Sequence, residues 1–182
     1  MHHLACFIPG MLALGSATAI NGTLGGDHAS RDMATAQGLM RTCFETARVQ
    51  PTKLAPDCVD FWNPDGVDDF KVCENNGNQF YFLRPEISES LYVMHQLSGN
   101  ETYREWAWEL FQGIEKNCKA GAAFGVYPDV REAGLEPEDC MESFFLAETL
   151  KYLYLMFSDQ KEITLTSHVY NTEAHPVPVV TG

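Results

Sequence analysis

The apolar residues of this chain recur mostly at steps of three and four, which is the spacing of one face of an α-helix. Four segments show the pattern: residues 33–47, 85–98, 101–117 and 141–157. Pro85 suits a first helical position, where its missing N–H leaves no hydrogen bond unmade. Ser98-Gly99-Asn100 ends that helix, and Glu138-Asp139 suits the beginning of the last one. The pattern predicts a mainly helical chain whose successive helices run roughly antiparallel.

The segments between these helices differ in character. Residues 50–80 read as a long loop with prolines and glycines among Asp and Asn, and long loops often line or cover a site. The glycine-rich stretch 121–125 predicts a short hairpin, and segments that contain β-branched residues follow at 163–166 and 169–170. The sequence contains no mononucleotide-type βαβ pattern, glycine-rich phosphate loop or coiled-coil heptad repeat.

The apolar run Leu4–Leu14 has two interpretations. Ser16-Ala17-Thr18-Ala19 resembles the small-residue cleavage site of a signal peptide. Signal peptides usually carry Lys or Arg before the apolar run, however, and His2-His3 supplies neither, so we favour a buried helix. Because no 18 consecutive residues are apolar, we expect no membrane contact within this chain.

Composition and charge exclude several classes of partner. Twelve Lys and Arg residues against 25 Asp and Glu give a formal net charge of −13, which disfavours binding to nucleic acid or an anionic membrane. With 45% hydrophobic and 12% aromatic residues, the 182-residue chain can bury a core as one domain or as part of a larger one. Its six cysteines lack a CxxC pair, which disfavours a zinc cluster, and allow 15 full pairings. Sequons at Asn21 and Asn100 fit a secretory compartment.

Acidic residues accompany the apolar helices in three places. Glu86 and Glu89 share a helical face, so their repulsion favours a neighbouring Arg84 or a bound cation; the alternative is an acidic first turn that interacts with the helix dipole. Phe144 and Glu148 lie opposite the core stripe and suit a sugar, although a surface Glu beside a second core contact fits equally. Thr172-Glu173 offers oxygens of the kind calcium prefers, but such a pair alone does not identify a metal site.

Together these segments resemble glycoside hydrolase family 47, the class I α-1,2-mannosidases that trim N-glycans in the endoplasmic reticulum and Golgi. The matching strings, in the family's order, are HLACF at 3–7, LALG at 12–15, LRPE at 83–86, YREW at 103–106, ESFFLAETLKY at 142–152 and NTEAHP at 171–176. The resemblance implies an all-α fold, the C-terminal part of an (αα)7 barrel with short β-hairpin elements. It covers residues 1–182 as the C-terminal portion of a single catalytic domain.

The resemblance also implies a role for each matching residue. Thr172 is expected to bind Ca²⁺ through its hydroxyl and carbonyl oxygens, and Glu86 to act as the general base of an inverting reaction. The remaining expected contacts are to the terminal mannose and to calcium-bound water. They involve His3, Arg84, Pro85, Glu89, Phe144, Glu148 and Glu173. Cys6 and Cys43 match the family's disulfide, whereas the state of Cys58, Cys73, Cys118 and Cys140 stays open.

The expected activity is calcium-dependent exo-α-1,2-mannosidase action on high-mannose N-glycans, in the lumen of the endoplasmic reticulum or Golgi or in secreted form. The family's other catalytic acids lie upstream of the matched motifs, so this segment alone is expected to be inactive, and any membrane anchor is expected outside it. His2 stands where the family has an acidic residue. The alternatives are a catalytically silent glycan-binding protein of the ER-degradation-enhancing mannosidase-like type, which usually lacks the family disulfide, and a truncated product that does not fold alone.

Overall fold

The computed structural model describes residues 1–18, 26–62, 70–74, 77–159 and 163–180. Its helical elements are a 3-10 helix His3–Phe7, α1 Ile8–Thr18, α2 Gly26–Arg48, α3 Glu86–Ser98, α4 Glu101–Asn117, a π-helical segment Phe145–Thr149 and α5 Leu150–Phe157. Its strands form antiparallel pairs: β1 Val59–Asp60 with β2 Lys71–Val72, β3 Lys119–Ala120 with β4 Ala123–Phe124, and β5 His168–Tyr170 with β6 Pro176–Pro178. The predicted helix-rich architecture with short hairpins is confirmed.

The ends of α3 and α4 follow the predicted local signals. Pro85 directly precedes α3, and Gly99 ends it in the left-handed conformation, with φ of 64° and its N–H donating to the carbonyl of His95. Asn100 caps α4, because its side-chain oxygen accepts from the backbone N–H of Thr102 at 3.1 Å. The hairpin predicted near Gly121 is also present as β3–β4.

The last helix begins at Ser143, two residues after the predicted Met141, and the predicted role of Glu138-Asp139 at its beginning is wrong. Glu138 and Cys140 do not occupy a first helical turn: the N–H of Glu138 donates to the carbonyl of Val126 at 2.8 Å, and the N–H of Val126 donates to the carbonyl of Cys140 at 3.0 Å. Tertiary hydrogen bonds therefore hold this segment against the chain after β4, and the N–H of Cys140 donates to the carbonyl of Glu138 at 2.8 Å in a tight turn. Helical structure begins only at Ser143.

Helix α3 lies at the centre of the described fold and contacts α1, α2, α4 and α5. The apolar N-terminal run forms the predicted helical structure, as the 3-10 helix and α1, but it is only partly buried, because Leu4, Phe7 and Met11 are exposed. Helix α1 packs closely on α3 at Gly10. There the N–H of Gly10 donates to Ser90 Oγ at 3.0 Å, and a Cβ on Gly10 would lie 3.1 Å from that oxygen. No helix among the described residues is long and apolar enough to cross a membrane.

Two disulfides connect elements of the fold. The Cys6–Cys43 bond joins the 3-10 helix to α2 and confirms the pairing implied by the family resemblance. The Cys58–Cys73 bond, whose state the sequence left open, holds the two ends of the β1–β2 region together. The other two cysteines are free; Cys118 is buried, which raises the pKa of its thiol to about 12, and Cys140 is exposed.

Removing the disulfides one at a time is expected to destabilise the chain to different extents. Cys6–Cys43 closes a sequence separation of 37 residues and Cys58–Cys73 one of 15, and the longer loop constrains the unfolded chain more. We therefore expect the Cys6→Ala/Cys43→Ala variant to be about 1 kcal/mol less stable than Cys58→Ala/Cys73→Ala. Urea unfolding of both variants measures this difference. Equal midpoints and slopes, or the reverse order, would contradict it.

Candidate active site

The segment that carries Arg84, Pro85 and Glu86 is fixed by buried backbone contacts on both sides. Upstream, Tyr81 and Tyr127 exchange two backbone hydrogen bonds of 2.9 and 3.0 Å. Downstream, the hydroxyl of Ser88 donates to the carbonyl of Pro85 at 2.7 Å. Pro85 itself is buried, and its ring restricts the backbone angle φ of the residue that leads into the first turn of α3. This framework places Glu86 where the chain enters the central helix.

Glu86 is paired with His3. The distance from the ring atom His3 Nδ1 to Glu86 Oε2 is 2.9 Å. The backbone N–H of His3 donates to the backbone carbonyl of Asp57 at 2.8 Å. Burial by itself would raise the pKa of Glu86, but the hydrogen bond and charge of His3, together with Arg84, hold that pKa below its usual value. Glu86 is therefore ionised at neutral pH, which is the state that a general base requires.

The pKa values of Glu89 and Glu148 are raised, whereas that of Glu86 is lowered. Burial, followed by the charges of Glu86 and Glu148, raises the pKa of Glu89 to about 7, against a smaller effect of a hydrogen bond from Tyr152. Burial also raises the pKa of Glu148, and the charges of Glu86 and then Glu173 add to this effect. The structure thus brings the four predicted carboxylates into one electrostatically coupled cluster. A cation would relieve their repulsion.

Thr172 and Glu173 lie in the turn between β5 and β6. Asn171 organises this turn, since its Oδ1 accepts from the N–H of Glu173 at 3.1 Å and from that of His175 at 2.8 Å. The turn is attached to α5 because Lys151 Nζ donates to the carbonyl of the buried Ala174 at 2.9 Å. Thr172 is exposed, and among the described residues neither its hydroxyl nor its carbonyl makes a hydrogen bond.

The donor set suits the predicted calcium ion. Within the described ranges, no three or more His, Cys, Asp or Glu side chains are grouped to hold a metal directly. The predicted site is of another kind, with two oxygens of Thr172 as protein ligands and water in the other positions. Two free hard oxygens beside an acidic cluster are what Ca²⁺ prefers, so the residues present fit the ion, and its binding stays a prediction.

Arg84 and Phe144 remain predicted sugar contacts, and the structure gives each a defined setting. Arg84 Nε donates to Asp57 Oδ1 at 2.6 Å, and the guanidinium carbon lies 5.5 Å from the centre of the Phe82 ring. Phe144 is half-buried in the turn that leads to Glu148. A guanidinium held by a carboxylate and an aromatic ring is a rigid donor for a sugar hydroxyl.

Asp57 belongs to the site geometry, although sequence reasoning missed it. Its side chain holds Arg84 and its carbonyl holds the backbone of His3, so it links two predicted sugar ligands. The only signal available was its place in the long loop among other Asp and Asn residues, none of which the pattern distinguishes. The contacts with Arg84 and His3 span 27 and 54 residues, which no local pattern encodes.

Comparison with known proteins identifies the family to which the chain belongs. The family model for glycosyl hydrolase family 47 matches residues 1–179. The chain is 38% identical over 179 residues to mannosyl-oligosaccharide alpha-1,2-mannosidase IA of Drosophila melanogaster, covering 98% of this chain and 26% of that protein. It is 42% identical over 180 residues to mannosyl-oligosaccharide 1,2-alpha-mannosidase MNS1 of Arabidopsis thaliana, covering 99% and 30%. The chain therefore spans between a quarter and a third of these relatives.

A solved structure gives the same result for the fold. The alpha-1,2-mannosidase from Trichoderma reesei superimposes with a TM-score of 0.83 at 29% sequence identity, covering 99% of this chain and 39% of that one. The predicted fold, part of an (αα)7 barrel, is confirmed by this match. The chain belongs to glycosyl hydrolase family 47.

Proposed function

We propose that this chain supplies the general-base side of a calcium-dependent, inverting exo-α-1,2-mannosidase site that trims high-mannose N-glycans. The observation that carries the proposal is the partly buried Glu86–His3 pair inside the cluster formed with Glu89, Glu148 and Glu173. Family membership supplies the reaction class, because the relatives are named as mannosyl-oligosaccharide 1,2-α-mannosidases. High-mannose glycans suit the site because their terminal residues are α-1,2-linked mannoses.

In the proposed reaction, Glu86 accepts a proton from a water molecule as the water oxygen forms a bond to the anomeric carbon. The glycosidic C–O bond breaks on the opposite face, and its oxygen takes a proton from a second carboxylic acid. His3 keeps Glu86 ionised and oriented until the proton arrives. We propose that the proton donor comes from a part of the mannosidase domain outside this chain, so the chain alone should not turn over substrate.

Calcium would be held by the two oxygens of Thr172, and when bound it would supply positive charge that orients water and sugar hydroxyls. Glu89, Glu148 and Glu173 would accept hydrogen bonds from that water and from mannose. Phe144 would stack on the C–H face of the ring, and Arg84 would donate to a hydroxyl while Asp57 holds its guanidinium. These assignments explain why several carboxylates share one site in spite of their mutual repulsion.

The experiment that tests this function uses a chimaera in which this chain replaces its matching segment of the Drosophila mannosidase. The chimaera is expected to release mannose from an α-1,2-linked mannose oligosaccharide, to lose that activity in EDTA and to regain it with Ca²⁺. The 182-residue chain alone is the control and should release none. Activity that survives complete chelation would contradict the calcium role. Full activity of the chain alone would contradict the proposal that the proton donor comes from outside this chain.

We further propose a lumenal location, in the endoplasmic reticulum or Golgi, or secretion. Two disulfides support an oxidising compartment, where such bonds persist. The sequon at Asn100 lies on an exposed residue at the beginning of α4, whereas the one at Asn21 lies outside the described residues. Glycosylation at Asn100 would add a bulky group away from the α3 N-terminus, where Glu86 lies.

A further inference from the structure

Leu83, directly before the segment Arg84–Glu86, has an unusual backbone conformation. Its φ is 61°, in the left-handed region that a leucine rarely adopts because its Cβ crowds the backbone. Its side chain is completely buried, so the residue is not at a flexible surface turn. A conformation of this kind persists only where surrounding contacts impose it. The contacts that surround Leu83 therefore bear on the direction in which the backbone enters the segment that carries Glu86.

One such contact comes from Thr149. The Thr149 hydroxyl donates to the carbonyl of Leu83 at 2.7 Å, and both residues are fully buried. Helical threonines usually donate instead to a carbonyl three or four residues earlier in their own helix. Thr35 and Thr42 of α2 do so, bonding to the carbonyls of Arg31 and Gly38. Thr149 reaches across 66 residues of sequence to another segment.

The π-helical segment Phe145–Thr149 explains how Thr149 can face Leu83. The N–H of Leu150 donates to the carbonyl of Phe145, five residues earlier, and the additional residue in this turn rotates the side chains that follow relative to those before it. Thr149 thereby faces the core while its neighbour Glu148 stays close enough to Glu86 and Glu173 to interact with their charges. Such π-helical turns are frequently found at functional sites.

We propose that Thr149 is a positioning residue for the reaction described above: its hydroxyl holds Leu83 in the left-handed conformation and so fixes the separation between Glu148 and Glu86. The hydrogen bond joins the two segments that carry these carboxylates, since Thr149 directly follows Glu148 and Leu83 lies three residues before Glu86. This inference rests on the proposed function for its effect on turnover. Its geometric part stands without that function.

The test compares two isosteric substitutions in the chimaera. Thr149→Val removes the hydroxyl and keeps the shape of the side chain. Thr52→Val is the matched control, because Thr52 also donates a buried, long-range hydrogen bond of 2.7 Å, to the carbonyl of Val130, and makes no contact with a predicted site residue. We expect Thr149→Val to lower kcat at least about tenfold, since small displacements of catalytic groups are costly, and Thr149→Ser to restore it. Thr52→Val should keep the kcat of the parent chimaera.

Equal kcat for Thr149→Val and the parent chimaera, or an equal fall for Thr52→Val, would overturn the proposal. Crystal structures of the 182-residue chain provide a readout that does not depend on turnover. In Thr149→Val, φ of Leu83 and the separation of the Glu86 and Glu148 carboxylates should change. In Thr52→Val, neither should change. Unchanged geometry in Thr149→Val would refute the positioning role. Absence of mannose release by the parent chimaera would instead refute the proposed function. Thr149→Ala replaces Thr149→Val in both assays if the valine variant does not fold.

Discussion

Replacing Glu86 by Gln in the chimaera is expected to lower kcat about a thousandfold, within the usual contribution of a general base. Glutamine keeps the shape of the side chain and can still contact His3, but it cannot accept the proton of the attacking water. The contact between His3 and Glu86, 2.9 Å long, identifies this carboxylate as the one held ionised. Binding of an α-1,2-linked mannose disaccharide should change by only a few fold, because the other predicted sugar contacts remain.

The control for this substitution is Glu105→Gln. Glu105 is an exposed residue of α4 without an ion pair among the described residues, so its replacement removes the same charge far from the site. Steady-state kinetics and calorimetry of both variants separate turnover from binding. If kcat of Glu86→Gln stays within tenfold of the parent, Glu86 is not the base. If turnover and binding fall together, Glu86 acts mainly as a sugar ligand.

The second large effect concerns the pH dependence of stability. The pKa of Glu89 is about 7 in the folded chain, against a usual value of 4.5, because of burial and then the charges of Glu86 and Glu148. Between these two pH values the folded state holds a proton that the unfolded state has lost. The free energy of unfolding contributed by Glu89 therefore falls as pH rises from about 4.5 to 7 and stays low above that.

Glu89→Gln should remove this dependence. In EDTA at pH 8, the variant is expected to be more stable than the parent chain by at most about 3 kcal/mol, and the difference should vanish towards pH 4.5. Calcium favours the ionised carboxylates of the parent chain and should therefore reduce the stability difference between Glu89→Gln and the parent at pH 8. Urea unfolding at both pH values, with and without Ca²⁺, measures these differences, with Glu105→Gln as control. A variant less stable than the parent at pH 8 in EDTA would contradict the raised pKa.

Much of the helical architecture could be predicted because its signals are local. The spacing of apolar residues identifies α2, α3 and α4, and Gly99 and Asn100 mark the boundary between α3 and α4 by their own backbone and side-chain chemistry. The beginning of the last helix could not be predicted in this way. Hydrogen bonds of Glu138 and Cys140 with Val126 hold that segment outside the helix, and this contact depends on the tertiary fold.

The candidate site likewise contains residues with a local sequence signal and residues placed by contacts that are distant in sequence. Glu86, Glu148 and Thr172 could be predicted as site residues because they occur in specific strings of the family, and the charges of the first two interact in the structure. Asp57 was missed because its partner Arg84 lies 27 residues away. The left-handed conformation of Leu83 had no sequence signal either, since leucine does not favour positive φ and the Thr149 hydroxyl that bonds its carbonyl lies 66 residues away.

The most direct test of the central claim is the configuration of the first mannose released by the chimaera, followed by proton NMR before mutarotation. A water molecule activated by Glu86 attacks the face opposite the leaving group, so cleavage of the α-1,2 linkage should first give β-mannose. This result would support Glu86 as the base of an inverting reaction. Initial release of α-mannose would mean that the reaction retains configuration, and it would contradict the role assigned to Glu86.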